Sequence, residues 1–220
     1  MAIILNIDTA VSSASICLAA EKKSLQWSLT EELQDQAAWL HVAIKELFSS
    51  VQMDLSNLDA VAVTNGPGSY TGLRVGLATA KGLCYALNIP LITINTLDMM
   101  VMATIGGEAD LFCPLIDARR KEVFTAVYDQ NRARIEEPRA LILESTSFDS
   151  LLNEKTILFS GNGKEKVREI IRHPNALFSD KVATATEMVE LSAGKFDEQR
   201  FDDVAYSEPL YIKEFYFPAH

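Results

Sequence analysis

One stretch, from Asp59 to Leu87, constrains the fold more than any other. Asp59–Thr64 is a compact apolar run bounded by polar residues and turn formers, which predicts a buried strand. It leads through Gly66-Pro67-Gly68-Ser69-Tyr70-Thr71-Gly72-Leu73-Arg74 into a helix from about Gly72 to Leu87, which Asn88 stops ahead of Pro90. Gly66 and Gly68 flank a proline, so the chain can turn sharply here and let another group come close. Ser69 or Thr71 can cap the helix. A strand, a glycine-rich turn and a helix start can cradle an anion. The spacing is neither that of a Walker loop, because no Gly-Lys-Ser/Thr closes it, nor that of a Gly-x-Gly-x-x-Gly dinucleotide turn. The loop therefore reads as either a structural turn or a binding loop.

The helix behind it carries two stripes of small residues. Gly72, Gly76 and Ala80 form one at i, i+4, i+8, and Ala78, Gly82 and Ala86 form another. Each glycine costs helix propensity on the order of 1 kcal/mol relative to alanine. Small stripes allow a second helix to approach closely, and two stripes are more than one contact requires, so a partner interface is expected. A helix over Asp35–Val51 shows the same excess. Leu40, Ile44, Leu47 and Val51 make one apolar stripe, and Trp39, Val42 and Ala43 widen it beyond one core-facing surface.

Elsewhere the pattern predicts strands at Ile3–Ile7, Ala14–Ala19 and Ser24–Leu29, then strand Leu91–Ile94 and helix Thr96–Ala103. Gly106–Asp110 is the one loop that looks like a domain boundary. Beyond it, strands are expected at Phe112–Asp117, Val123–Tyr128, Leu141–Leu143 and Thr156–Phe159. Helices are expected at Phe148–Leu152, Lys164–Ile171 and Thr186–Ala193. Strands first, then alternating helix and strand, twice over, indicate two related α/β lobes, 1–105 and 106–220, with the tail after about 206 free to pack back on the first.

A formal net charge of −10 with a single short basic run, Arg119-Arg120-Lys121, leaves no stripe for direct nucleic-acid binding, so such contact would be indirect. No run of eighteen apolar residues lacks a charge, which reads against a membrane span. The opening Met1–Asp8 has no basic n-region or small-residue cleavage site, and Cys17, Cys84 and Cys113 lie far apart in apolar context. A cytoplasmic chain with reduced thiols is the expectation. His41, His173 and His220 have no metal-ligand spacing, so no metal site is expected. Asp8 with Thr9, and Asp117 at a later strand end, could bind a magnesium–phosphate group as in actin-like ATPases, or be strand-terminal carboxylates in solvent.

Together these segments resemble the bacterial TsaB family, also called YeaZ. The resemblance rests on Ile-Leu-Asn-Ile-Asp-Thr-Ala at 4–10, the whole block 66–87, Ile-Pro-Leu-Ile-Thr-Ile-Asn-Thr-Leu-Asp at 89–98, Leu-Ile-Asp-Ala-Arg-Arg-Lys-Glu-Val-Phe at 115–124, and Glu208-Pro209-Leu210-Tyr211-Ile212-Lys213. It runs in order along the whole chain. It implies the two-lobed actin-like (ASKHA, sugar kinase) fold and a non-catalytic role in making N6-threonylcarbamoyladenosine in tRNAs that read codons beginning with A. The implied partners are the catalytic paralogue TsaD and the ATPase TsaE, with a homodimer when alone and tRNA touched only indirectly. The implied docking surface is the helix pair 35–51 and 72–87, giving Trp39, Leu40, Ala43, Leu47, Gly72, Arg74, Gly76, Leu77, Ala80 and Cys84. A remnant nucleotide or phosphate site would comprise Asp8, Thr9, Gly66, Gly68 and Ser69, with ATP or ADP and magnesium there or at the complex interface. TsaD's His-x-x-x-His metal pair aligns with Thr96 and Met100, which cannot replace two imidazoles. Gln36 also stands where the family commonly has a histidine. The rival reading is a small-molecule kinase or ATPase of the same fold using Asp8, Thr9 and the glycine loop.

Overall fold

Short apolar runs separated by turn formers build two five-stranded sheets of one topology. The computed structural model describes residues 2–31 and 36–213. In the first sheet β1 (Ile3–Asp8), β2 (Ala14–Ala20) and β3 (Lys23–Thr30) form an antiparallel meander. β4 (Ala60–Gly66) and β5 (Leu91–Asn95) add in parallel on the far side of β1, so the order is β3-β2-β1-β4-β5. The second sheet repeats this strand for strand. β6 (Leu111–Asp117), β7 (Glu122–Asp129) and β8 (Arg134–Ile142) are its meander, and β9 (Ile157–Ser160) and β10 (Ala176–Phe178) its parallel pair.

Parallel neighbours need crossovers, and helices supply them. α1 (Gln36–Ser50) joins β3 to β4, and α2 (Tyr70–Leu87) joins β4 to β5. α3 (Thr96–Met102) then leads to the second sheet, where α4 (Asp149–Leu152) precedes β9 and α5 (Lys164–Ile170) joins β9 to β10. A 3-10 turn at Ala185–Glu187 opens α6 (Met188–Asp197).

Three apolar layers hold the stack. Leu5, Ile7, Ile16 and Leu18 of the first sheet bury α1 and α2 through Leu40, Leu47, Leu77 and Cys84. Ile92 and Ile94 on the sheet's other face meet Met99 and Val101 of α3, Met188 of α6, and Phe112 and Tyr128 of the second sheet. Phe148, Leu152, Val167 and Phe159 make the third layer behind the second sheet. A polar clamp spans the lobes beside the middle layer. Asp98 of α3 accepts from the Tyr128 hydroxyl at 2.7 Å and from Arg134 Nε and Nη2 at 3.0 and 2.6 Å.

Several expectations are corrected. β8 runs nine residues where only Leu141–Leu143 was expected, because Arg134, Glu136, Glu137 and Arg139 mask the pattern. It is the edge strand of its sheet, where charges and Pro138 are tolerated. The three-residue edge strand β10 was not anticipated. Packing does not divide at 105/106. α6 comes from the second half of the chain but lies on β1 and β5 of the first sheet, and Asp202 accepts the Thr93 N–H at 2.7 Å. α2 starts at Tyr70, two residues early, because Ser69 is its N-cap. The expected first residue of α1, Asp35, and the tail's His220 lie outside the described residues.

Candidate functional site

The glycines of the 66–74 loop fit the chain itself. A Cβ on Gly68 would lie 2.2 Å from the carbonyl oxygen of Ala10, and one on Gly72 would lie 2.0 Å from that of Thr9. The contacts are bonded: Ser69 N–H donates to Ala10 O at 2.7 Å, and the Thr9 hydroxyl donates to Gly72 O at 2.7 Å. Gly76 lies against the Thr9 side chain, and Gly66 against the Leu210 carbonyl of the tail. The groups brought close are carbonyl oxygens, which repel a phosphate. Thr9, Gly66 and Gly68 thus seat α2 on β1 and on the tail, while Gly68 and Ser69 also border an open pocket with Asp117 and Arg119. Ser69 Oγ accepts the Gly72 N–H at 3.2 Å as the helix cap.

Asp8 behaves differently. It is 2% exposed and faces a cavity between the lobes. Its Oδ1 accepts the Thr64 hydroxyl at 2.8 Å and the Ala10 N–H at 3.1 Å. Burial pushes its carboxyl up to about 6 against these two bonds. The topological counterpart, Asp117 at the end of β6, is exposed. Partial burial raises its carboxyl, but the Lys166 ammonium at 2.6 Å and the Arg119 N–H outweigh that and hold it below the usual range. Its own N–H donates to Asn162 Oδ1, and Asn162 Nδ2 reaches Ser12 Oγ across the lobes at 3.0 Å. An ion-paired Asp117 and a buried, bonded Asp8 do not fit the open carboxylate pair that a magnesium–phosphate group needs.

Thr96 and Met100, at the positions of the metal pair implied by the resemblance, lie in the apolar middle layer at 0% and 5% exposure. A hydroxyl and a thioether there do not fit such a metal. Among the described residues no three His, Cys, Asp or Glu side chains converge. The cysteines are free and buried, and burial pushes Cys84 up to about 11 and Cys113 up to about 12, so neither is a ready nucleophile.

α2 separates its two small stripes. Gly72, Gly76 and Ala80, with Leu77 and Cys84, face the core, while Ala78, Gly82 and Ala86 face solvent. Leu40, Ala43 and Leu47 of α1 are likewise in the core. Those side chains are withdrawn from the expected docking surface, because the sheet beneath needs an apolar cover. Of the expected docking residues Trp39 is half-buried and Arg74 is exposed. Arg74 is already engaged: its guanidinium lies 3.9 Å over the Tyr70 ring and donates to Tyr211 Oη at 3.1 Å. Gln36 is buried beside Gly72.

What reaches the surface is the complementary face. A groove of about 710 Å³ runs between α1 and α2, with His41, Lys45 and Phe48 on one wall and Ala78, Gly82 and Leu83 on the other. Val42 of α1 at 55% and Tyr85 of α2 at 86% exposure also reach solvent. A Cβ on Gly82 would meet nothing within 4 Å. The tail borders the same helix, since Lys81 Nζ donates to Ala205 O and Ser207 O at 2.9 and 3.1 Å. Periodicity revealed both stripes; the phase of Leu73, Leu77 and Cys84 was the signal for which one lies outside.

Two lobes of one repeated topology, with helices between and outside the sheets, define an actin-like ASKHA fold. Residues 33–210 match the family model described as "TsaD: tRNA N6-adenosine threonylcarbamoyltransferase". The chain belongs to that family, in its TsaB/YeaZ branch. It is 28% identical over 172 residues to the tRNA threonylcarbamoyladenosine biosynthesis protein TsaB of Bacillus subtilis, covering 76% of this chain and 74% of that one. To the Escherichia coli protein of the same name it is 25% identical over 220 residues, 96% of this chain and 94% of the relative. A Pseudomonas aeruginosa protein described as similar to peptidase YEAZ shares the fold at a TM-score of 0.86 and 21% identity, over 97% of this chain and all of that one. No described helix is long and apolar enough to cross a membrane.

Proposed function

We propose that this chain is a non-catalytic, cytoplasmic subunit in the formation of N6-threonylcarbamoyladenosine in tRNAs reading codons that begin with A. It would act by docking a TsaD-type paralogue. Relatives of similar length are named for this biosynthesis. The observation that carries the docking role is the solvent-facing Ala78–Gly82–Ala86 stripe beside the α1–α2 groove, where small side chains let a partner helix approach closely. Docking there biases the paralogue toward its competent arrangement by population shift. A TsaE-type ATPase joins the assembly, and ATP or magnesium belongs at the interface of the complex. A second copy of the chain takes the same face when the paralogue is absent. At a net charge of −10 the chain leaves tRNA contact to its partner.

Gly82→Glu tests this reading. No neighbour crowds position 82, and glutamate is the better helix former by about 0.5–1 kcal/mol, so the free chain should gain slightly in stability. On co-expression with the paralogue, size-exclusion chromatography should show the complex lost and tRNA modification reduced with it. A complex that survives both Gly82→Glu and Ala78→Glu would exclude this face.

A further inference from the structure

Behind the signature loop, on the opposite side of the first sheet from the docking groove, a cavity of about 200 Å³ lies between the lobes. That is room for several waters or a small molecule. Two polar groups, each 2% exposed, line it: the Asp8 carboxyl and the Ser160 hydroxyl. Ser160 Oγ has no hydrogen-bond partner. The two bonds that Asp8 accepts both go to Oδ1, and among the described residues no donor reaches Oδ2. Buried polar atoms are nearly always paired, so the open Ser160 hydroxyl, on the same cavity as the Asp8 carboxyl, calls for a partner from outside the chain.

The rest of the lining indicates what carries that donor. Val11, Met99, Met100 and Ala183 supply apolar wall. At the rim Lys164 is tied to Asp180 and to Ser179 O, and Glu165 to Arg168. Lys181 stands exposed to solvent. The inner end is therefore acidic with acceptors open, and the body of the cavity is apolar and thioether-lined. Among the described residues no three metal-ligating side chains converge, and an organic cation matches a carboxylate and a hydroxyl at the end of an apolar cavity.

We infer that this cavity binds a small organic ammonium ion, its N–H groups on Asp8 Oδ2 and Ser160 Oγ and its alkyl body against Met99 and Met100. The sign is opposite to that of the phosphate-bearing ligand the fold usually takes, and the site is independent of the docking face.

The test uses the full chain labelled at its methionine methyl carbons and titrated with n-butylammonium chloride, with n-butanol and sodium butyrate as controls. Saturable shifts confined to the Met99 and Met100 methyls are expected, with Kd on the order of 1 mM, as suits so small a ligand. Asp8→Asn should weaken binding about tenfold or more, and Ser160→Ala severalfold, as expected for lost hydrogen bonds to a charged group. Equal shifts with butanol or butyrate would overturn the inference. So would the absence of a saturable shift, which would make the cavity a site for ordered water alone. Ser160→Ala gives an independent arm, since unchanged affinity there counts equally against the site.

Discussion

Asp8 ends β1 with a carboxyl out of water, and its two bonds to Oδ1 do not repay the desolvation. Its folded value of about 6 stands above the ordinary 3.8, so the fold favours the protonated form. The sign follows from linkage. Stability from this group is fully present below pH 3.8 and is lost as pH rises through about 6. A shift of about two units corresponds to about 3 kcal/mol above that range. Asn keeps an oxygen for Thr64 and Ala10 without the charge. Asp8→Asn should therefore stabilise the chain by up to about 3 kcal/mol at pH values above neutrality and by little near pH 4. Urea unfolding at the two pH values checks this; the same gain at both would mean that charge burial is not the cause.

α2 is an element with two opposed duties. Its inner face meets β1 and β4 so closely that Gly72 and Gly76 have no room for a side chain. Its outer face carries equally small residues exposed to solvent, and a Cβ on Gly82 would meet nothing within 4 Å. Leu77→Glu and Gly82→Glu, five residues apart, should therefore behave oppositely. Leu77 is 4% exposed in the first core, and a charge there should cost several kcal/mol and unfold the lobe. The Gly82 variant should melt at or above the temperature of the parent, as circular dichroism would show. Similar melting of both would mean that the faces are wrongly distinguished. The C-terminal end of α2 was legible beforehand, because Asn88 takes the left-handed conformation at φ +54° that a helix C-terminus favours. β8 was not legible. Its alternation is broken by charges and a proline, which an edge strand can carry and an interior strand cannot.

At the scale of the whole molecule, the lobes are joined by the middle apolar layer and by Asp98 with Tyr128 and Arg134. Tyr128 is 1% exposed, so removing its acceptor leaves a buried hydroxyl unpaired and Arg134 with Glu137 alone. Asp98→Ala should cost roughly 2–3 kcal/mol in chemical denaturation. Asp98→Asn, which keeps an acceptor for Tyr128, should cost less. An equal cost for the two would assign the effect to charge alone.

The sequence by itself determined the order of most elements, the recurrence of strands followed by alternating helix and strand, and the two small stripes of α2. These are local patterns of period and residue type, and each is written within a few turns of chain. The tertiary structure alone decided what the glycines of the 66–74 loop pack against. Its glycines answer to the carbonyls of Thr9, Ala10 and Leu210, which are remote in sequence, so no spacing within the loop could distinguish a seat for the protein's own backbone from a seat for a phosphate. It also decided which stripe of α2 remains free, that α6 returns to the first sheet, and that Asp8 and Ser160 share one cavity. Burial and close approach are properties of pairs of segments, and a periodic pattern names a face without naming its neighbour.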